Sequence, residues 1–205
     1  MSIERRSPKR QVSCRAGTRT GFDATPKRWR YEEYYRSTAE GEWFEFVDGV
    51  NLGAERSKLL CHQRWLAGVT RIFDTPKIDR LGKLCLGPLD VVLNEENVVQ
   101  PDLLFITAAR KHIIEERAIF GSPDIMIEIV SPATLVMDRY RKPLLYARFG
   151  VPEYWIVDPG HDSIEILELQ DGKYDLASFA AETGKVRSPV LDLEFDVVDV
   201  TPKAD

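Results

Sequence analysis

Cysteine, histidine and long apolar runs are all scarce in this chain of 205 residues. Its three cysteines, Cys14, Cys61 and Cys85, form no C-x-x-C pair, so neither a disulfide framework nor a cysteine zinc site is expected. No apolar run approaches the roughly 18 residues that cross a bilayer. The first residues are basic and polar, without the apolar stretch of a secretory signal. We therefore expect a cytoplasmic protein with no membrane span.

The formal net charge of -5 is unevenly distributed along the chain. Residues 1–36 hold 10 basic and 4 acidic side chains, whereas residues 37–205 hold 18 basic and 29 acidic ones. A basic arm can anchor phosphates, but a solvated tail and an organellar transit peptide are also open interpretations. We expect residues 1–25 to be a basic, flexible leader and residues 26–200 to form a single domain.

Hydrophobic periodicity predicts helices and strands in alternation. A helix is expected to start near Thr25-Pro26, and a strand, turn and strand to surround Asp48-Gly49. Further helices are predicted over Ser57–Phe73, near Ala108–Ala118 and over part of Thr134–Phe149. The other predicted strands are Leu84–Leu86, Leu89–Leu93, Val98–Thr107, Asp124–Val130, Glu153–Val157, Ser163–Leu169, Tyr174–Ala180 and Val190–Val198. This order indicates an α/β fold with a mixed sheet flanked by helices and extra N- and C-terminal strands.

Two carboxylates lie within apolar strands. Glu128 is surrounded by apolar neighbours, and a buried carboxylate requires a partner or a cation. Asp102 follows Pro101, which lacks a ladder donor and marks a bulge or a point where two strands diverge. Together they would supply the hard oxygen ligands that Mg²⁺ accepts. The alternatives are a structural ion pair for Glu128 and a turn-capping role for Asp102.

A third group is carried by the helix that follows the Glu128 strand. Asp138, Lys142 and Tyr146 are spaced at i, i+4 and i+8 and could share a helical face. Spacing alone favours an exposed, weak Asp–Lys pair. Pro143 adds a constraint, because proline inside a helix lacks a donor and clashes one turn back. The helix therefore either starts near Arg139–Lys142 or kinks.

Several segments resemble the Uma-two family of putative restriction endonucleases. They lie between Trp29 and Leu193, and the strongest signals are Pro101-Asp102, Glu128 with Ser131-Pro132, and residues 150–159. The resemblance implies a restriction-endonuclease-like fold, of the PD-(D/E)xK superfamily. It also implies phosphodiester hydrolysis in DNA with Mg²⁺, or Mn²⁺, as cofactor. A homodimer is expected from the same family type.

The resemblance also implies residue roles. Asp102 and Glu128 match the metal ligands, with the Ile129 carbonyl as a further oxygen. The usual strand lysine is replaced by Val130, and Lys142 matches the lysine moved to the next helix. The catalytic candidates are thus Asp102, Glu128 and Lys142. Auxiliary candidates are Glu45, His62 and Tyr146, although His62 is equally well explained as a helix residue at the edge of the core.

Two other functions are compatible with the sequence. A catalytically inactive module that binds nucleic acid or protein would explain the missing strand lysine and the acidic body. A purely structural protein would leave Glu128 in an apolar strand without a reason. We therefore predict a divalent-metal-dependent DNA endonuclease, with the inactive binding module as the alternative.

Overall fold

The computed structural model of the protein describes residues 27–37, 43–53 and 59–202. The predicted leader, residues 1–25, lies outside the described residues. The helices are α1 (Tyr31–Ser37), α2 (Leu60–Phe73), α3 (Pro76–Leu81), α4 (Lys142–Arg148) and α5 (Val197–Val200), with a 3₁₀ helix at Ala108–Ile113 and a π-helical turn at Met137–Arg141. The strands are β1 (Glu45–Val47), β2 (Val50–Gly53), β3 (Gly82–Leu86), β4 (Val91–Asn94), β5 (Asn97–Val99), β6 (Leu103–Thr107), β7 (Ile119–Phe120), β8 (Ile125–Ile129), β9 (Glu153–Asp158), β10 (Ser163–Gln170), β11 (Lys173–Ala181), β12 (Lys185–Ser188) and β13 (Leu193–Asp196). Within these residues, no helix is long and apolar enough to cross a membrane.

The strands form a central sheet of six and two smaller sheets. The central order is β11-β10-β9-β8-β6-β3, in which β8 and β9 are parallel and the other neighbours antiparallel. A five-stranded sheet has the order β2-β1-β5-β4-β7, and β12 pairs with β13. This architecture confirms the predicted mixed sheet flanked by helices.

The central sheet is apolar on both faces, because both are covered. Helices α2, α3 and α5 cover one face, and helix α4 covers the other together with the five-stranded sheet. On the first face, Trp65 and Phe73 of α2 pack with Trp155 of β9. On the second, Tyr146 of α4 packs with Met126 of β8 and with the apolar strands of the five-stranded sheet. Alternation along β8 directs Glu128 toward the second face, as expected.

The predicted strand Val98–Thr107 consists of two strands that belong to different sheets. Strand β5 ends at Val99 in the five-stranded sheet, and β6 begins at Leu103 in the central sheet. Pro101 lies between them, at the point where the sequence predicts a bulge or a divergence. The divergence opens the space in which Asp102 lies.

Three predicted elements differ in the structure. Asp74-Thr75-Pro76 does not simply close α2, because Thr75 caps a new helix, α3, with Pro76 in its first turn. The helix predicted near Ala108–Ala118 is a 3₁₀ helix that ends at Ile113. The strand predicted over Val190–Val198 is only β13, since Asp196 accepts the Val198 N–H and starts α5. Strands β7 and β12 were not predicted.

The backbone around Pro143 combines a wide turn with a helix start. Pro143 lies in the first turn of α4, which is one of the two predicted arrangements. In the π-helical turn before it, the Lys142 N–H donates to the Met137 carbonyl five residues earlier. The Tyr154 hydroxyl donates to the Asp138 carbonyl at 2.8 Å, so this turn is fastened to β9.

Candidate active site

A cleft of about 240 Å³ lies where β6 and β8 diverge and helices α2 and α4 approach them. Asp102 precedes β6, whereas Glu128 lies near the end of β8. Leu103 and Ile127 form the last paired position of the two strands. Every predicted site residue except Tyr146 lines the cleft, namely Glu45, His62, Asp102, Glu128 and Lys142. Tyr146 lies behind Glu128.

Asp102 is held by a backbone donor and by a histidine. Its Oδ2 accepts the Ile129 N–H at 2.8 Å, a donor that the diverging strands leave without a ladder partner on β6. The same oxygen lies 3.2 Å from His62 Nε2. The Asp102 side chain remains 27% exposed and therefore faces the cleft. His62 is thus a buried helix residue that contacts a candidate site carboxylate.

Glu128 is one of two almost fully enclosed carboxylates among the described residues of the cleft, with 3% of its surface exposed against 1% for Asp138. Its Oε1 accepts the Lys142 ammonium at 2.8 Å and the Tyr146 hydroxyl at 2.8 Å. Lys142 and Tyr146 therefore do project from one side of α4, despite the constraint that Pro143 sets. The carboxylate is paired, as its burial requires.

Lys142 contacts two further carboxylates. Its Nζ lies 3.3 Å from Asp138 Oδ1 and 3.4 Å from Glu45 Oε1. Glu45 also accepts the Gln100 N–H at 2.7 Å, which fixes β1 beside the turn that precedes Pro101. Asp138 is not among the site residues that the sequence predicts, and the exposed pair with Lys142 that spacing alone favours is buried in the structure. Its signal was the i, i+4 spacing to Lys142.

The cluster carries more negative than positive charge. Four carboxylates, Glu45, Asp102, Glu128 and Asp138, share one ammonium among the described lining residues. Burial raises the pKa of Glu128 well above its ordinary value, and the charges of Asp138 and Asp102 raise it further against the opposing effect of Lys142. Burial likewise raises the pKa of Asp138.

The same surplus keeps the lysine charged. Burial alone would lower the pKa of Lys142, but the carboxylates of Glu128 and Glu45 raise it well above its usual range. Glu128 and Lys142 both shift toward the protonated form, so the cluster retains protons. The shift of Lys142 reflects the negative charge of its carboxylate neighbours, whereas that of Glu128 is caused first by burial.

Asp102 and Glu128 supply the hard oxygen donors that Mg²⁺ and Mn²⁺ bind. Within the described residues, no three His, Cys, Asp or Glu side chains are already grouped to hold a metal ion. The Lys142 ammonium lies within 3.4 Å of the carboxylates of Glu45, Glu128 and Asp138. The donor set fits a divalent cation in its chemistry and in its surplus negative charge, with Asp102 and Glu128 as the residues that would hold it.

Comparisons with known proteins identify the family and the fold of the chain. A family model named Uma2, described as "Putative restriction endonuclease", matches residues 31–200. The chain belongs to the Uma2 family. That membership confirms the resemblance read from the sequence. No curated protein matches the chain.

The fold of this Uma2 protein is similar to that of a solved structure, a "putative nuclease belonging to DUF820" from Anabaena variabilis. The TM-score is 0.67 at 18% sequence identity, over 84% of this chain and 97% of the other. At that identity the likeness establishes the fold, and the mixed α/β, nuclease-like fold is thereby confirmed. The roles of individual residues rest on the geometry of the cleft.

Proposed function

We propose that this Uma2 protein is a divalent-metal-dependent DNA endonuclease whose catalytic residues are Asp102, Glu128 and Lys142. One observation carries the proposal: carboxylates from two neighbouring strands and a lysine from the next helix converge on a single cleft. Family membership supports nuclease chemistry, and restriction-endonuclease-like nucleases generally use divalent metal ions. Mg²⁺ is the proposed ion, and Mn²⁺ offers similar ligand preferences.

The residues divide the work of phosphodiester hydrolysis, in which water adds across one P–O bond. Asp102 and Glu128 would hold the metal ion, which when bound supplies Lewis-acid polarisation of the phosphate and a more acidic water. The raised pKa of Lys142 keeps it an ammonium, so it donates hydrogen bonds and stabilises negative charge on the phosphate. The same pKa favours orienting the attacking water over removing its proton.

Three other side chains position these groups. His62 contacts Asp102, Tyr146 donates to Glu128, and Glu45 lies 3.4 Å from Lys142. His62 Nδ1 is buried and has no hydrogen-bond partner in the part of the chain that the structure describes. We assign these residues auxiliary roles, because partners of metal ligands set ligand orientation and basicity.

The decisive experiment measures DNA cleavage by purified protein in Mg²⁺, Mn²⁺ and EDTA. Wild-type protein should cleave with either metal and not in EDTA. Asp102→Asn and Glu128→Gln, which keep side-chain size, should each lower the cleavage rate by about 10²-fold or more, a typical loss when an electrostatic catalytic group is removed. Cleavage at the wild-type rate by both variants would refute the assignment.

Glu153→Gln is the matched control for this test. Glu153 is also fully buried, on the neighbouring parallel strand β9, but it lies on the other face of the sheet with Trp155. Its replacement should leave the cleavage rate unchanged below the unfolding temperature. Equal losses in all three variants would instead indicate general destabilisation.

The alternative is an inactive module that binds nucleic acid or protein. It is favoured by the Lys142–Glu128 ion pair, which satisfies Glu128 without any metal. A thermal-shift titration separates the two functions, because a ligand that binds only the folded state raises its stability. If millimolar Mg²⁺ or Mn²⁺ leaves the melting temperature unchanged and no DNA is cleaved, the inactive module is the better account.

Partner and assembly belong to the same proposal. DNA is the proposed substrate, and a twofold-symmetric homodimer would place two active sites on the two strands of a duplex. The basic residues in 1–36 would contribute phosphate contacts. Sedimentation analysis with and without a DNA duplex would test both points, since a monomer in the complex argues against the dimer.

A further inference from the structure

A second pocket, of about 270 Å³, lies beside the cleft. Six of its ten described lining residues are apolar, and the lining comes from the β1–β2 hairpin, β5, the π-helical turn and α4. The apolar side chains are Val47, Val50, Leu52, Val99, Met137 and Leu145. Its volume lies just below the roughly 300–1,000 Å³ of pockets for drug-sized ligands, so it suits one ring system rather than an extended segment.

The pocket and the cleft are contiguous. Glu45, Leu52, Met137 and Lys142 line both of them. A group that occupies the pocket therefore lies beside the Lys142 ammonium, which we propose to contact the substrate phosphate. The occupant is accordingly expected to be part of the same molecule that binds in the cleft.

The pocket also has four charged residues in its described lining, Glu45, Asp48, Arg141 and Lys142. Arg141 is exposed there, and no ion-pair partner for it lies within residues 27–37, 43–53 and 59–202. Asp48 is held by Arg148 at 2.9 Å, so its charge is already neutralised. An exposed arginine that has no ion-pair partner among the described residues suits a phosphate group, whereas the apolar part of the lining does not.

We propose that this pocket receives one unstacked nucleobase next to the phosphate that is cleaved. The inference rests on the proposed function and adds a determinant of substrate choice to it. Of the parts of a nucleic acid, only the base has apolar faces that suit the apolar lining, which includes Val50 and Leu145, while its polar edge can face Glu45. Such a site favours DNA with an unpaired or mismatched base, because extrusion then costs least.

The test uses binding rather than cleavage. Two duplexes differ only at a central position that carries 2-aminopurine, either paired with thymine or mismatched. Their Kd values are measured by anisotropy in Ca²⁺, which also prefers oxygen ligands. Wild-type protein should bind the mismatched duplex about tenfold more tightly, equivalent to ~1.4 kcal/mol. The 2-aminopurine fluorescence should change on binding, because the base leaves its neighbours.

The variant Val50→Gln places a longer, polar and uncharged side chain in the pocket. Val50 is 45% exposed, so the fold should tolerate the change, which circular dichroism would verify. The variant should lose the preference for the mismatch and keep wild-type affinity for the paired duplex. Val198→Gln, at a position 49% exposed on α5, is the matched control and should keep the preference.

Two results would overturn the proposal, and they differ. Equal wild-type affinity for the two duplexes, or a preference that survives in Val50→Gln, refutes the base pocket while DNA binding stands. Failure of wild-type protein to bind either duplex refutes the DNA substrate itself, and the base pocket with it.

Discussion

Glu128 is almost completely withdrawn from water, and the side chains around it compensate for this in two ways. Lys142 supplies an opposite charge and Tyr146 a neutral hydrogen bond, both to the same carboxylate oxygen. Asp138 and Glu45 then surround the ammonium from other directions. The single positive charge thus serves several carboxylates, and its removal would leave all of them uncompensated.

Lys142→Met should therefore destabilise the protein strongly. Methionine keeps the length of the side chain but removes its charge, and breaking one partner of a buried pair costs about 3–5 kcal/mol. The charge of Lys142 lowers the pKa of Glu128, so removal of that charge raises this pKa further. The loss of stability in this variant is then small in acid, where Glu128 is protonated. It grows as the pH rises through the folded-state pKa of Glu128. Urea unfolding at several pH values measures this dependence.

Two further variants give the Lys142 prediction its controls. Adding Glu128→Gln to Lys142→Met should recover much of the loss, because it removes an uncompensated charge. Lys185→Met breaks only an exposed ion pair with Glu194 and should have little effect. A Lys142→Met variant as stable as wild type at neutral pH would show that the buried ion pair is unimportant for stability.

At the scale of elements, the position of α2 depends on one small residue. Helix α2 carries His62 and packs against α5, where the Gly68 backbone directly faces the Val200 carbonyl oxygen. A methyl group on Gly68 would overlap that carbonyl, and a backbone atom cannot rotate away as a flexible side chain can. Gly68 therefore permits the close approach that brings α2 to the cleft.

Gly68→Ala should lower the free energy of unfolding by about 1–3 kcal/mol, the usual cost of overpacking, although alanine is the better helix former. Chemical denaturation would check the change. The neighbouring exposed position supplies the control, since Ala67→Gly should cost only about 0.5–1 kcal/mol through helix propensity. A stabilised Gly68→Ala variant would mean that α5 does not pack closely on α2 in solution.

At the scale of the whole molecule, Glu153 joins the C-terminal hairpin to the central sheet. Its carboxylate accepts hydrogen bonds from Ser188 Oγ at 2.6 Å and the Val190 N–H at 2.9 Å, and a third from the Trp155 indole. No cation contacts it within the described residues. Burial raises the pKa of Glu153, with the hydrogen bond from Ser188 acting in the opposite direction.

The folded-state pKa of Glu153 lies above the ordinary value of 4.5. The protonated Glu153 side chain therefore stabilises the folded state more than the ionised one does. The contribution is complete below the unfolded-state pKa and is lost as the pH rises through the folded-state pKa. The difference in unfolding free energy between wild type and Glu153→Gln should therefore be largest in acid and shrink toward neutral pH. Thermal or urea unfolding between pH 4 and pH 8 measures it, and a constant difference would exclude this proton linkage.

The local pattern of the sequence is sufficient to predict most helices and strands and the types of residue in the site. Apolar runs identify β8 and β9, and a carboxylate inside such a run marks Glu128 as a residue that needs a partner or a cation. Pro101 indicates the divergence of two strands, because proline cannot donate to a ladder. Assignment of Asp102 and Lys142 needs the resemblance to the Uma-two family as well.

The tertiary structure decided which residues that are distant in the sequence contact each other. His62 and Asp102 are 40 residues apart, and only the packing of α2 beside β6 brings them within 3.2 Å. Asp138 joins the cluster through a π-helical turn, which local periodicity does not reveal. The apolar pocket is formed by the hairpin β1–β2, β5 and α4 together. The sequence alone thus determined that a carboxylate in the apolar strand β8 needs a partner or a cation, since desolvation is a local cost. Non-local packing decided which residues share one cleft, and it buried the Asp138–Lys142 pair that spacing alone predicts to be exposed.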